Sequence, residues 1–190
     1  RTCGRRVRRA QGAPGAGFVN GGETNLSVVF AAVAGSSRLF DRLGGTEAVH
    51  AIERCMKRMA RGIDGFHGRI AKIGRDDLVA LFANPNDAYQ AAVAMQRRVA
   101  DLPPVSGIQL AIRVGLHCGA VSEDDGEILG DGVHTAECLA GLAETGQVLT
   151  SSQTRALLSP HLQLSTRLLE PESGKDLPAD RQLFEVIWLE

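Results

Sequence analysis

Residues 108–118 alternate without a break. Ile108, Leu110, Ile112, Val114, Leu116 and Cys118 are apolar, and Gln109, Ala111, Arg113, Gly115 and His117 stand between them. A strand turns successive side chains to opposite faces, so a period of two over this length predicts a β-strand with one face on a core. A single strand is not stable alone, so the chain must supply partners and a covering layer. Arg113 and His117 fall on the face away from the apolar positions, and His117 reads as a hydrogen-bonded structural histidine rather than a ligand.

The partners are legible on both sides. Residues 26–33 form a short, nearly continuous apolar run closed by Gly35-Ser36-Ser37, which predicts a buried strand and then a short helix over 37–43. Thr46 is placed to cap a helix with the stripe Val49, Ile52, Met56, Met59 and Ile63. Two apolar segments, 69–73 and 78–82, flank Gly74-Arg75-Asp76-Asp77 and read as a hairpin. Asn84-Pro85 is an N-cap with proline at the first helical position, opening a helix with the stripe Ala88, Ala91, Ala92, Met95 and Val99. After the long strand come an acidic turn at 122–126 and a short segment at 127–129. A helix over 131–143, a strand over 147–150 and a short helix over 152–158 follow. Two strands near 162–169 and 182–189 end the chain. Hairpins are mixed with helices and strict βαβ alternation is absent. This predicts an α+β fold with a mainly antiparallel sheet and helices packed on it.

Composition narrows the class. The net charge of −1 conceals an asymmetry: residues 1–23 hold five arginines against Glu23, for +4, and the remainder carries −5. The first 23 residues also hold six glycines and no apolar run, so they are read as a disordered arm, 1–23, ahead of one domain, 24–190. As a functional element the arm would suit nucleic acid or anionic lipid. No aromatic or helical pattern accompanies its arginines, so it reads as a linker, and nucleic acid is not an expected partner. No apolar run is long enough to span a membrane. The four cysteines are scattered with no CxxC spacing and no signal peptide is evident, which predicts a reducing, cytoplasmic setting.

Four stretches carry a family resemblance. Residues 29–39, VFAAVAGSSRL, are similar to an F-A-D-I-x-G-S/F-T opening, and residues 68–82, GRIAKIGRDDLVALF, to G-G-x-x-x-K-x-x-G-D-x-x-x-A-x-F. Residues 112–119, IRVGLHCG, are similar to R-I-G-I-H-x-G, and residues 129–139, LGDGVHTAECL, to F/W-G-D-x-V-N-x-A-x-R-L. Residues 146–150, GQVLT, match the strand that follows. In this order and spacing the chain resembles the class III adenylyl/guanylyl cyclase catalytic domain over about residues 25–190. The resemblance implies the ferredoxin-like cyclase fold and a homodimer, or a heterodimer with another cyclase domain, with sites at the interface. It implies cyclisation of a purine nucleoside triphosphate assisted by two ions, Mg²⁺ or Mn²⁺ in an active member.

Position by position, the resemblance assigns roles and also departs from them. The first metal aspartate falls on Ala32, with no acidic residue between Asn25 and Leu39 to replace it. The second falls on Asp76; a shift that matches Gly74-Arg75 to the family's Gly-Asp would put Arg75 there instead. The base-reading lysine falls on Lys72 and its acidic partner on Glu127, a pairing that favours ATP over GTP. The ribose-orienting asparagine falls on His134 and the transition-state arginine on Cys138, which removes a fixed cation from beside the triphosphate. His134 and Cys138 lie i,i+4 on one helix face, a metal-ligand spacing, but two ligands without others read as an altered catalytic surface. Gly35 and Ser36 precede a helix whose free N–H groups suit phosphate. The expectation is a weakly active or inactive signalling domain that dimerises and binds a purine nucleotide. An active adenylyl cyclase and an interaction module without nucleotide are the alternatives.

Overall fold

The strand β1 (Thr24–Val33) runs antiparallel between β3 (Asp77–Phe82) and β4 (Ile112–Asp124), and the sheet is organised on this triplet. The computed structural model describes residues 22–170 and 182–189; the arm expected over 1–23 lies, but for Gly22 and Glu23, outside them. Beyond the triplet, β2 (Arg69–Ile73) edges β3, while β6 (Val148–Ser151), β8 (Leu183–Val186) and β7 (Thr166–Leu168) continue from β4. The order is β2-β3-β1-β4-β6-β8-β7, with β5 (Glu127–Leu129) hairpinned onto the end of β4. Among the described residues the β4–β6 pair alone is parallel. The α+β class with a mainly antiparallel sheet therefore holds.

Alternation along the strands sets the two faces. Val29, Ala31 and Val33 of β1 join Leu78, Ala80 and Phe82 of β3 and Ile112, Val114 and Leu116 of β4 in one core. The helices α2 (Gly45–Asp64) and α3 (Pro85–Ala100) cover that face. Val28, Val79, Leu81 and Val121 point the other way, toward Ala136 of α4 (Asp131–Leu142). The remaining helices are α1 (Ser36–Leu43), α5 (Ser152–Leu157) and α6 (Pro160–Leu164).

Helix α3 forms as its sequence dictates. The Asn84 side chain accepts from Asn86 N at 2.9 Å, Pro85 opens the helix, and Ala88, Ala91, Ala92, Met95 and Val99 are all fully buried. The preceding helix departs from expectation. Its N-cap is Gly44 with no side-chain bond, and Thr46 lies inside the first turn. Val49 is 41% exposed, and the buried stripe is Ala48, Ala51, Ile52, Cys55, Met59 and Ile63. The rotation brings small residues to α3: a Cβ on Gly62 would meet Met95 Cγ at 2.8 Å.

The long strand is also corrected at both its start and its faces. It begins at Ile112, because β1 ends at the Val33–Ile112 pair and residues 109–111 have no neighbouring strand. Gln109 instead sends its amide to the carbonyls of Leu102, at 3.0 Å, and Ala100. From Val114 to Cys118 both faces are buried, since α4 and α5 cover the polar-looking side. His117 is 3% exposed, with Nδ1 2.8 Å from Ser151 Oγ and 3.3 Å from Thr154 Oγ1. Near the end, residues 160–164 are helical rather than extended; Ser159-Pro160 is a helix start, and the strand is confined to Thr166–Leu168.

Candidate functional site

The end of β1 meets the β2–β3 turn at one corner of the sheet. Ala32 is the direct partner of Asp77 on one side and of Arg113 on the other. Val33 N donates to Asp76 O at 2.8 Å, and Gly74 N to Asp77 O at 2.8 Å, which fixes the hairpin tip against β1. Gly35, in the left-handed region at φ 65, turns the chain from β1 into α1, and Ala34 N donates to Ala111 O at 2.9 Å. The turn delivers Ser36 to the hairpin tip, where its Oγ donates to Asp76 Oδ2 at 2.5 Å. Arg75 turns the other way and lies over the Phe40 ring, 4.4 Å from its centroid. The four positions Ala32, Gly35, Ser36 and Asp76 are thus brought together, with Asp76 rather than Arg75 directed at Ser36.

Electrostatics single out Asp77, which the sequence places in the hairpin turn without a site role. Burial pushes its carboxyl above the usual value, Asp76 adds to the rise, Lys72 opposes it and Glu137 adds again. Lys72 is exposed on β2, next to a register shift between Ile70 and Lys72. Its charge therefore reaches this corner. Glu137 reaches it from α4, the helix that also carries His134 and Cys138. Nothing local to Glu137 marks it; only the packing of α4 over the sheet brings it near Asp77.

The other expected residues lie elsewhere on the chain. Glu127 is exposed on β5 and pairs with Asp124, eleven positions along β4 from Arg113. With Asp124, Asp125 and Leu129 it lines a shallow depression at the tip of the β4–β5 hairpin. Glu127 and Asp76 therefore sit toward opposite ends of one chain's sheet. His134 and Cys138 are exposed on α4, with His134 Nε2 3.6 Å from Cys138 Sγ. Cys55 and Cys118 are buried; burial pushes the Cys55 thiol up to about 11 and raises that of Cys118 against the opposing bonds from Ser27 and Thr154.

The donor set does not suit a pair of divalent cations. Such ions take hard oxygen donors, and Ala32 offers a methyl group where a bridging carboxylate would be needed. Asp76 is already engaged by Ser36, and among the described residues no three His, Cys, Asp or Glu side chains are arranged to hold a metal ion. No helix among the described residues is long and apolar enough to cross a membrane.

Comparison with known proteins agrees with the fold. No family model matches the chain. Putative adenylate cyclase 3 of Rhizobium meliloti is 32% identical over 133 residues, which is 66% of this chain and 22% of that protein. The chain thus spans about a fifth of the length of this relative. The adenylate/guanylate cyclase/hydrolase from Silicibacter pomeroyi superposes with a TM-score of 0.71 at 22% identity, over 87% of this chain and 98% of that one. A non-canonical dimeric guanylyl cyclase domain of a fusion protein from the aquatic fungus Blastocladiella emersonii gives a TM-score of 0.72 at 17% identity, over 88% of this chain and 98% of its own.

Proposed function

This chain is a cyclase homology domain with the class III adenylyl/guanylyl cyclase fold, and we propose that it serves as a signalling or regulatory domain that binds a purine nucleotide with little or no turnover. The observation that carries the reading is the row Asp77–Ala32–Arg113: the position that resembles a metal aspartate holds a methyl group between two charged neighbours. His134 and Cys138 add to it, since the position that resembles a fixed cation holds a thiol on α4. Charge stabilisation dominates phosphoryl transfer, so losing such groups lowers rate by orders of magnitude. Lys72 and Glu127 lie too far apart along one chain's sheet to read one base together, which supports assembly of the site between two chains. Lysine with a carboxylate partner favours ATP over GTP.

The test is incubation of the purified chain with ATP and Mg²⁺ or Mn²⁺, with cyclic AMP and thermal stability both measured. At a ligand concentration of about 100 times Kd, binding contributes about 2.7 kcal/mol, or roughly 5–10 °C in Tm for a domain of this size. The expected result is stabilisation by ATP without appreciable product. Rapid cyclic AMP formation would overturn the absence of turnover, and no stabilisation by any purine nucleotide would overturn the binding.

A further inference from the structure

Helix α4 turns one stripe of residues to solvent. Asp131, His134, Cys138 and Gly141 follow one another at intervals of three and four, which stacks them on one helix face, and all are exposed. Within the stripe, His134 Nε2 faces Cys138 Sγ at 3.6 Å. In a tetrahedral zinc site, with Zn–S about 2.3 Å and Zn–N about 2.0–2.1 Å, a sulfur and a nitrogen ligand stand about 3.5–3.6 Å apart. The pair therefore already spans one edge of such a site.

Softness and charge select the ion. A thiolate with an imidazole suits Zn²⁺, whereas Mg²⁺ takes oxygen donors. Cys55 and Cys118 are buried and do not compete. Helix α4 carries Asp131 and Glu137 and no lysine or arginine, so its exposed face attracts a cation.

One chain supplies only half of the site. Among the described residues no three His, Cys, Asp or Glu side chains are arranged to hold a metal ion, and a closed structural zinc site takes four ligands. A two-fold axis supplies the missing two, because an isologous contact presents the same patch from both sides. The face is open to such a contact: a Cβ on Gly141 would meet no atom within 4 Å. Two copies of this acidic face repel each other, and a dication between them reverses the sign of the contact.

We propose that His134 and Cys138 of two copies hold one Zn²⁺ between them, joining the chains through their α4 faces. Each Cys138 releases its thiol proton to solvent as the sulfur binds, so two thiolates cancel the charge of the ion. The site needs no nucleotide and is tested without one, so its failure is separate from a failure of nucleotide binding.

The full chain is titrated with Co²⁺, whose charge-transfer band reports thiolate ligation, and then with Zn²⁺. The band is expected to saturate at half an equivalent of Co²⁺ per chain and to vanish as Zn²⁺ displaces the cobalt. At a dilution where light scattering finds monomer in EDTA, half an equivalent of Zn²⁺ gives dimer, and EDTA reverses it. Cys138→Ser removes the band, and His134→Ala raises the Zn²⁺ concentration needed for the dimer by about tenfold or more. Cys3, outside the described residues, is the remaining thiol, and Cys3→Ser keeps both band and dimer. The stoichiometry is read on the parent chain, so the test does not depend on any variant folding. Saturation at a full equivalent per chain, a monomer that persists in Zn²⁺, or a band that survives Cys138→Ser overturns the proposal. Loss of the band in Cys3→Ser overturns it as well.

Discussion

Ser36 Oγ donates to Asp76 Oδ2 at 2.5 Å across 40 residues of sequence. The bond ties the first turn of α1 to the β2–β3 hairpin tip, and each partner is half-buried. It gives Asp76 a protein donor in the corner where resemblance assigns it a metal ion. It also fixes the entry angle of α1, which starts from a glycine in the left-handed region and has no side-chain cap of its own.

Removing the hydroxyl therefore has a cost that a surface serine would not. Hydrogen bonds to charged groups contribute about 1.5–3 kcal/mol when well shielded, and half-burial brings the expected loss for Ser36→Ala to about 1 kcal/mol. That corresponds to roughly 2–4 °C in Tm for a domain of this size. Asp76→Asn should lose part of the same energy, and the double variant less than the sum of the two. Thermal denaturation of the four chains reads this directly, and strict additivity would show that the two side chains are not coupled.

Asp77 gives a pH dependence with a definite sign. Its carboxyl is pushed up, first by burial and then by Asp76, so the folded chain holds this proton more tightly than the unfolded chain does. Ionised Asp77 thus costs stability above its folded pKa, and the cost is relieved as pH falls from there toward the ordinary value of 3.8. Asp77→Asn should raise the urea midpoint at pH 7, and its advantage over the parent should shrink as pH falls toward 4. An advantage that is constant with pH would mean that the amide acts through packing rather than charge.

Much of the fold was legible because local signals and packing agree. The α3 stripe, the Asn84 cap and the 74–77 turn are properties of neighbouring residues, and the structure keeps all of them. The α2 stripe was legible at Ile52, Met59 and Ile63 but not at Val49, because the helix's rotation answers to the approach of Gly62 to Met95 across helices. Likewise the alternation at 108–111 continues past the point where β1 can offer a partner, and sequence periodicity does not report a missing neighbour. At the site, adjacency of Ala32, Ser36 and Asp76 follows from the motifs. The Ser36–Asp76 bond, the reach of Glu137 toward Asp77 and the unsatisfied Arg113 Nε arise from long-range register, which no local pattern encodes.

Thiol chemistry should discriminate sharply among the described cysteines. Cys55 and Cys118 are buried and their thiols are pushed up, Cys55 to about 11, so the reactive thiolate is scarce and shielded. Cys138 is exposed, with the His134 imidazole 3.6 Å from its sulfur. Brief treatment of the folded chain with iodoacetamide at pH 7.5, followed by peptide mass spectrometry, should label Cys138 and leave Cys55 and Cys118 unmodified until urea is added. His134→Ala should slow labelling of Cys138 if the imidazole assists loss of the thiol proton. Equal labelling of Cys55 in the folded chain would contradict its burial.

Two glycines near α4 should answer oppositely to the same substitution. Gly115 lies where α4 crosses β4, and a Cβ there would sit 2.0 Å from Ala136 O and 2.6 Å from Ala140 N. Both are backbone atoms, so no side chain can swing aside; α4 must lift from the sheet, carrying His134, Glu137 and Cys138 with it. Gly115→Ala should therefore cost about 3 kcal/mol or more, beyond the usual range for overpacking. Gly141 is on the same helix with nothing within 4 Å of an added Cβ. There Gly141→Ala meets no atom and reduces the backbone entropy lost on folding, for a gain of about 0.5–1 kcal/mol. Urea unfolding of both variants measures the contrast, and a tolerated Gly115→Ala would mean that α4 does not rest on β4 at this distance.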